Sequence, residues 1–188
     1  MKTPVVYLVF FILSLFWSAL ARAQFIDFNV LSFSDTFTTS GTSKISRSIY
    51  DVGLGTLMGK SDNWILGLSF GSSSFTDQST TTITYVASDF GLKIGLFWTK
   101  QKSWFSTLTY NFQSTAKYND STTATELRGT SIKADVGYAF WPSDSLGVAI
   151  KVFYYAPSFK ESVASGTLTS ISYTRALVYP SFSVMISY

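Results

Sequence analysis

Hydrophobic and polar side chains alternate with a period of two along most of the chain beyond residue 24. The alternation is clearest over 64–71, 90–98, 132–140, 146–155 and 182–188. Successive side chains of a β-strand point to opposite faces, so this period predicts strands rather than helices. Eight strands are predicted, over 25–34, 47–58, 64–73, 83–98, 104–113, 127–141, 146–156 and 169–188. In the first, the apolar phase set by Ile26, Phe28 and Val30 slips at Leu31, which predicts a β-bulge.

Two kinds of connection separate these strands. Short polar ones lie at 59–63, 99–103 and 142–145, and longer segments rich in Ser and Thr cover 35–46, 74–82, 115–126 and 157–168. The two kinds alternate, as they do where neighbouring strands run up and down. The predicted fold class is therefore all-β, an eight-stranded antiparallel up-and-down barrel with four long loops at one end.

The two faces of the predicted strands differ in bulk. One carries large apolar side chains such as Leu66, Leu92 and Val136, with Val148 and Val184 in the same phase. The other carries glycines, at 67, 91, 137 and 147 among others, with Ser, Thr and a few charges. An eight-stranded barrel has a narrow interior, which fits the glycine face. The bulky face should then point outward into lipid, as in a transmembrane barrel.

Tryptophan marks one end of these strands. Trp64, Trp98, Trp104 and Trp141 each border one of the short turns. Indole rings favour the headgroup layer of a membrane, so these four are predicted to form an aromatic girdle on the periplasmic side.

The first 23 residues have the pattern of a cleaved secretory signal peptide. Lys2 precedes an apolar stretch over 5–17, and Ala-Arg-Ala at 21–23 fits a cleavage site. An N-terminal membrane anchor is the alternative, but the apolar stretch is short for one. The predicted organisation is a signal peptide at 1–23 and a barrel at 24–188. Cleavage removes Lys2 and Arg22, so 14 basic residues become 12 against 11 acidic ones. A net charge near +1 gives no reason to expect a nucleic-acid partner.

These features together resemble the small outer-membrane β-barrel proteins of Gram-negative bacteria, the OmpA- and OmpX-like family. The resemblance covers the whole of 24–188 and includes a last strand that ends in an aromatic residue, Tyr188. It implies an outer-membrane location reached through the periplasm, with lipid and lipopolysaccharide around the barrel. It also implies that the assembly machinery of the outer membrane reads Tyr188, although this family ends more often in Phe. A monomer is expected.

The side chains most used in catalysis are missing. The chain has neither His nor Cys, which removes Ser-His and Cys-His nucleophiles and the usual ligands of zinc and other transition metals. Glu126 and Glu161 fall in predicted loops or at strand ends. We therefore expect no enzyme, no cofactor and no metal.

Six charged residues share the inward phase of the predicted strands: Asp51, Asp89, Lys93, Lys133, Asp135 and Lys151. Counted from the short turns they fall in two neighbouring layers near mid-membrane. Unpaired charges there would be costly, so each lysine is predicted to contact Asp51, Asp89 or Asp135 inside the lumen. The same charges could instead line a gate or a narrow water path.

Three functions remain open at this point. The first is a structural or surface-interaction barrel without turnover, whose polar loops could bind a surface ligand. The second is a small porin-like channel or transporter for ions or an apolar solute. The third is a soluble lipocalin-type barrel, which should show an apolar interior and a charged exterior, the opposite of the pattern here.

Overall fold

The computed structural model describes residues 25–38, 42–59, 61–78, 82–120, 124–164 and 166–187, and all regular structure in this part of the chain is β-strand. The strands are β1 (Phe25–Thr38), β2 (Thr42–Met58), β3 (Trp64–Gln78), β4 (Thr82–Phe97), β5 (Trp104–Asn119), β6 (Ala124–Phe140), β7 (Leu146–Ala164), β8 (Thr167–Thr174) and β9 (Leu177–Ser187). No helix that is long and apolar enough to cross a membrane occurs among these residues.

The sheet closes on itself. Each strand from β1 to β7 pairs antiparallel with the next, and β9 pairs with both β7 and β1. Eight strands therefore form the ring, as predicted, and the all-β antiparallel fold is confirmed. We call the end with the connections at 59–63, 98–103 and 141–145 the turn end, and the opposite end the tip end.

β8 and β9 are two parts of one strand that is interrupted at residues 175 and 176. The pairs Ser158 with Thr174 and Tyr155 with Leu177 keep the same register against β7 on the two sides of the gap. Residue 157 of β7, which lies opposite the gap, is proline, and it has no N–H to donate to the ladder. Arg175 still donates its N–H to the carbonyl of Pro157 at 3.2 Å, but the reciprocal bond cannot form.

The segments rich in Ser and Thr are mostly strand, which corrects the prediction of four long loops. β1 runs on to Thr38, β3 to Gln78 and β5 to Asn119, while β7 reaches Ala164. Glu126 and Glu161 accordingly lie within β6 and β7. The alternating Ser and Thr of these segments read as loop composition, but as β-branched or small side chains they also fit a strand whose outer face meets water.

The bulge predicted in β1 is wrong. Its register with β2 runs without a shift from Phe25 to Thr38. Shifts occur instead where β5 meets its two neighbours near Asn111 and Ser114, between β6 and β7 at Gly129, and between β7 and β8 after Phe159. After Val30 the apolar residues of β1 occupy inward instead of outward positions. The strand itself stays regular, and the change occurs because the barrel is apolar outside near one end and apolar inside near the other.

Near the turn end, the barrel has apolar residues outside and small or charged residues inside. Leu66, Leu92 and Val136 are 44%, 44% and 47% exposed, whereas Gly67, Gly91, Gly137 and Gly147 face inward and are buried. At Gly137 only glycine fits, because a Cβ there would lie 2.7 Å from the Cβ of Lys151. We call this part of the barrel the lower section.

Toward the tip end the arrangement reverses. The next outward positions on successive strands are hydroxyl residues, among them Ser32, Ser48, Ser72, Ser88 and Thr130. The interior at this height holds two apolar clusters, one of Ile49, Phe153, Tyr155 and Tyr179 with Leu31 and Leu177, the other of Tyr85, Ala87, Ala116 and Phe159 with Phe75, Leu127 and Ile171. A polar outer face and an apolar interior are typical of a barrel in water. We call this part the outer section.

Candidate functional site

The candidate site is a network of charged side chains across the middle of the lumen. All six residues predicted for it face inward and are buried, with exposures of 6% or less. They come from β2, β4, β6 and β7, and each sits on the inward phase of its strand because the period of two holds without interruption between them.

One half of the network joins four side chains. Lys93 Nζ lies 2.6 Å from Asp27 Oδ2, and Lys151 Nζ lies 3.5 Å from the same oxygen and 3.3 Å from Asp135 Oδ2. Asp135 also accepts a hydrogen bond of 2.7 Å from the Thr107 hydroxyl. Two carboxylates and two ammonium groups thus balance in this half.

Sequence reasoning missed Asp27, and it placed Lys93 beside Asp51, Asp89 or Asp135, whereas the ion pair that Lys93 forms is with Asp27. The sequence analysis did not follow the inward phase along the first strand. A usable signal existed, because Asp27 and Asn29 alternate with Ile26, Phe28 and Val30. Asp27 is fully buried, and Ser183 donates a hydrogen bond to its Oδ1.

The other half of the network centres on Lys133. Its Nζ lies 2.7 Å from Asp51 Oδ2 and 3.3 Å from Asp89 Oδ2. Hydroxyl groups also donate to both carboxylates: Ser69 donates to Asp51 Oδ2 at 3.0 Å, and Ser131 and Ser114 donate to Asp89 Oδ1, the former at 3.0 Å. Asn29 links the two halves, since its Nδ2 lies 3.4 Å from oxygens of both Asp27 and Asp51.

The network holds four carboxylates, Asp27, Asp51, Asp89 and Asp135, against three lysines, so its formal charge is −1. Burying ions costs several kcal/mol each, and only close partners with further hydrogen bonds offset that cost. The serine, threonine and asparagine donors supply those bonds to the carboxylates that share a lysine. The arrangement can hold the strands in register and fill the lumen.

Glycine provides the room that the lysines occupy. A Cβ on Gly53 would lie 3.2 Å from Nζ of Lys93, and one on Gly71 would collide with Nζ of Lys133. The glycine face that the sequence suggested for a narrow interior therefore serves the long charged side chains that cross it.

Apolar and aromatic side chains lie above and below the network. At the turn end Phe25, Leu57, Ile65, Phe97, Phe105, Ala139, Ala149 and Met185 form an apolar cluster. Toward the tip end, the space between Lys133, Asp89, Tyr155 and Tyr179 leaves no room for a water molecule.

Three of the four predicted girdle tryptophans point outward at the turn end: Trp64, Trp98 and Trp104 are 53%, 56% and 48% exposed. Trp141 departs from the prediction. Its indole turns under the barrel, 6.1 Å from the ring of Phe97, and its Nε1 donates to the carbonyl of Lys102 at 2.9 Å. Bordering a turn was not enough to fix its direction, because the residue follows the end of β6 and is free of its alternation.

A second aromatic band, which the sequence analysis did not identify, lies at the upper edge of the lower section. It comprises Tyr50, Phe70, Phe90, Phe112, Tyr154 and Phe182. The ring of Phe90 lies 4.8 Å from that of Phe70 and 4.9 Å from that of Phe112. We call these residues the upper aromatic band. Tryptophan was the only residue type used to identify a girdle, whereas this band contains only Tyr and Phe.

Two predicted features lie outside the described residues: the signal peptide over 1–23 and the terminal Tyr188. Within the described part, no group of three or more His, Cys, Asp or Glu residues is arranged to hold a metal ion.

Neither a protein-family model nor a curated protein matches the chain. Among solved structures, the chain is similar to Neisserial surface protein A (NspA), with 9% identity and a TM-score of 0.51 over 87% of this chain and 96% of that one. It also matches the translocator domain of the autotransporter NalP from Neisseria meningitidis, with 13% identity and a TM-score of 0.45 over 85% of this chain and 59% of that one. At such identities the likeness to NspA speaks for the fold.

Proposed function

We propose that this protein is an integral outer-membrane barrel with a structural or surface-interaction role, that it is not an enzyme, and that its lumen is closed by the charge network. The observation that carries the proposal is the combination of an apolar outer face with buried, paired charges inside. An inside-out barrel of this kind is stable only where lipid covers its outer face.

The dimensions support insertion in a membrane. The apolar outward stretches of β6 (132–140) and β7 (146–154) are about nine residues long, close to the ~9–11 residues that a tilted strand needs to span the hydrocarbon layer. Aromatic residues flank this band on both sides, as interfacial girdles do. In this orientation the turn end faces the periplasm and the outer section stands above the outer surface. NspA, named as a surface protein, is similar in fold.

The closed lumen favours a structural role over conduction. With the apolar cluster of the turn end, the charge network and the aromatic side chains stacked in series, ions have no hydrated route. Lipid and lipopolysaccharide around the barrel, and the assembly machinery acting on Tyr188, complete the set of partners we propose. A surface ligand would bind at the tip end.

Planar-bilayer recording of the refolded mature protein tests the proposal. We expect no discrete conductance steps at moderate salt and voltage, because the network leaves no water path. A variant that removes whole ion pairs, Lys93→Ala with Asp27→Ala and Lys151→Ala with Asp135→Ala, serves as the positive control for an opened lumen, because it leaves no stranded charge in that half of the network. Reproducible steps from the unaltered protein would instead support the second candidate, a small channel.

A further inference from the structure

The wall of the barrel is not hydrogen-bonded all the way round. β1 pairs with β2 along its whole length, up to Thr38 with Thr42. On its other side β1 pairs with β9 only from Phe25 with Ser187 to Val30 with Phe182. β8 does not pair with β1 beyond that point, because nearly all of its Cα atoms lie more than 8 Å from those of β1. Among the described residues, a seam thus opens between 31–38 of β1 and 174–181 of the last strand.

A proline stands where the seam begins. The N–H of Ser187 donates to the carbonyl of Ser145 at 2.9 Å, so the odd-numbered residues of β9 bond toward β7. Because N–H directions alternate along a strand, its even-numbered residues bond toward β1. The next bond toward β1 after Phe182 belongs to residue 180, which is proline and has no N–H. The ladder therefore loses a bond at the position where pairing stops.

Pro157 weakens the other side of the same segment. It removes one of the two bonds that would join β7 to Arg175, as described for the gap between β8 and β9. The stretch 174–181 is thus missing a bond toward each neighbour. Prolines are tolerated at strand edges and positions of this kind, and here two of them free the same segment.

The seam leads to apolar side chains. Leu31 and Leu177 pack against the cluster of Ile49, Phe153 and Tyr179 just inside the wall. On the outside the last strand presents Val178, 67% exposed, and Phe182, 62% exposed. Val178 and Phe182 therefore border the approach to the seam, and Leu31 and Leu177 border the gap itself.

The position of the seam relative to the membrane indicates which class of ligand it would bind. Its lower end lies at the upper aromatic band, next to Phe182, which marks the boundary of the outer leaflet in the proposed membrane position. We propose that the seam is a binding slot for one acyl chain of an outer-leaflet lipid, which bends out of the leaflet and lies against the half-buried side chains of Leu31 and Leu177. The inference rests on the proposed insertion in the outer membrane. A free solute in water would not need an opening at this boundary.

The slot is a docking site and not a route through the barrel. Behind Leu31 and Leu177, the space lined by Ile49, Phe153, Tyr155 and Tyr179 leaves no room for a water molecule, so the acyl chain lies in the gap of the wall and does not enter the lumen. A chain that enters the seam must therefore stop in the outer section. Its headgroup would stay among the hydroxyl residues outside, near Ser32 and Ser48, whose Oγ atoms are 3.3 Å apart.

Photolabelling in nanodiscs tests the slot. The probe is a phosphatidylcholine with a diazirine in the middle of one acyl chain, and adducts are mapped by peptide mass spectrometry. We expect adducts on outward residues such as Leu92 and Ile150, which any inserted barrel would give, and also on Leu31 and Leu177. Adducts on the outward residues alone would overturn the slot and leave insertion intact. A lack of adducts on both sets would overturn insertion itself.

The variant Pro180→Val tests the cause of the opening, with Pro142→Val at the turn end as its matched control. Restoring the N–H should pair residue 180 with Ser32, slow hydrogen exchange of backbone amides in 174–181, and reduce adducts on Leu31 and Leu177 about fivefold, the ratio expected from one backbone hydrogen bond. Pro142→Val should change neither. Unchanged exchange in Pro180→Val would overturn the role of the proline, and unchanged adducts despite slowed exchange would overturn entry through the seam.

The same experiment separates a lipid from a soluble chain. A free fatty acid carrying the same diazirine is added to nanodiscs made of unlabelled lipid, at a concentration below its micelle formation. Labelling of Leu177 by the phospholipid probe supports the bilayer as the source. Labelling of Leu177 by the free fatty acid alone would overturn that source.

Discussion

The ion pair between Lys93 and Asp27 offers the sharpest test of the buried network. Its two charged atoms are 2.6 Å apart, and both side chains are 2% exposed or less. Lys93→Met keeps most of the stem and removes the charge. The variant leaves Asp27 with Lys151 at 3.5 Å as its remaining lysine and takes the network from −1 to −2. Stranding a buried charge costs about 3–5 kcal/mol.

The reverse change should cost less. Asp27→Asn removes a carboxylate from a network with one carboxylate in excess, so its formal charge becomes zero. The amide can still accept a hydrogen bond from Ser183, and we expect a loss of about 1–3 kcal/mol, the cost of one unsatisfied buried partner. An isolated ion pair would give no such asymmetry, because either single change would leave one unpaired charge.

The exposed pair of Arg128 and Glu126 is a matched control. Its N···O distance is 2.7 Å, nearly that of the buried pair, but its side chains are 52% and 36% exposed. Surface pairs contribute about 0–1 kcal/mol. The coupling energy from Arg128→Met, Glu126→Gln and their double variant should therefore be well below that of the buried cycle.

The assay is reversible urea unfolding of the refolded protein in lipid vesicles, followed by far-UV circular dichroism. The free energies of the two single variants and the double variant give the coupling energy. If the losses for Lys93→Met and Asp27→Asn simply add, the pair does not interact and the reasoning fails. Equal losses for the two single variants would refute the charge excess as a determinant of stability.

Three further predictions follow from particular positions. Gly71→Val should lower the yield of folded barrel on refolding, because its Cβ would occupy the place of the Lys133 ammonium group; heat-modifiable mobility on gels measures this yield. Trp141→Ala should destabilise the barrel by about 3–5 kcal/mol if the ring is as well packed as a core aromatic, and Trp64→Ala, whose ring is 53% exposed, should cost clearly less in the same urea assay. Deleting Tyr188 should reduce the amount of protein inserted in the outer membrane, and unchanged levels in isolated membranes would count against an assembly role.

Periodicity alone predicted the ring of eight strands and the direction of most side chains. The reason is physical, because a strand in a closed barrel cannot slip by one residue without turning its apolar face inward. The six charged residues were found on the same ground. Asp27 was missed although it alternates with Ile26 and Phe28 in the regular part of β1, because the inward phase was not followed along that strand.

The alternating pattern did not show at which height along the barrel the outer face changes from apolar to polar and the inner face from polar to apolar. Leu31 belongs to the inward phase of the outer section, whereas Val30 belongs to the outward phase of the lower section. Two adjacent apolar residues therefore looked like a slip of register. The same exchange made 74–78 and 115–119 read as loops, because their outward positions are Ser, Thr and Lys where the lower section has Leu and Phe.

This exchange also explains why an incomplete wall is tolerable in this barrel. Inside the hydrocarbon layer each unsatisfied backbone group costs several kcal/mol, so a spanning sheet must be closed. The ladder between β1 and β9 is intact along Phe25 to Val30, within the lower section, and it ends beside the upper aromatic band. Above that height water and lipid headgroups can satisfy the free N–H and C=O groups of Ser32 and its neighbours. Pro180 interrupts the ladder between β1 and β9 just above the hydrocarbon layer, where unpaired backbone groups cost little free energy. An opening to the leaflet and a closed membrane span can therefore coexist in one chain.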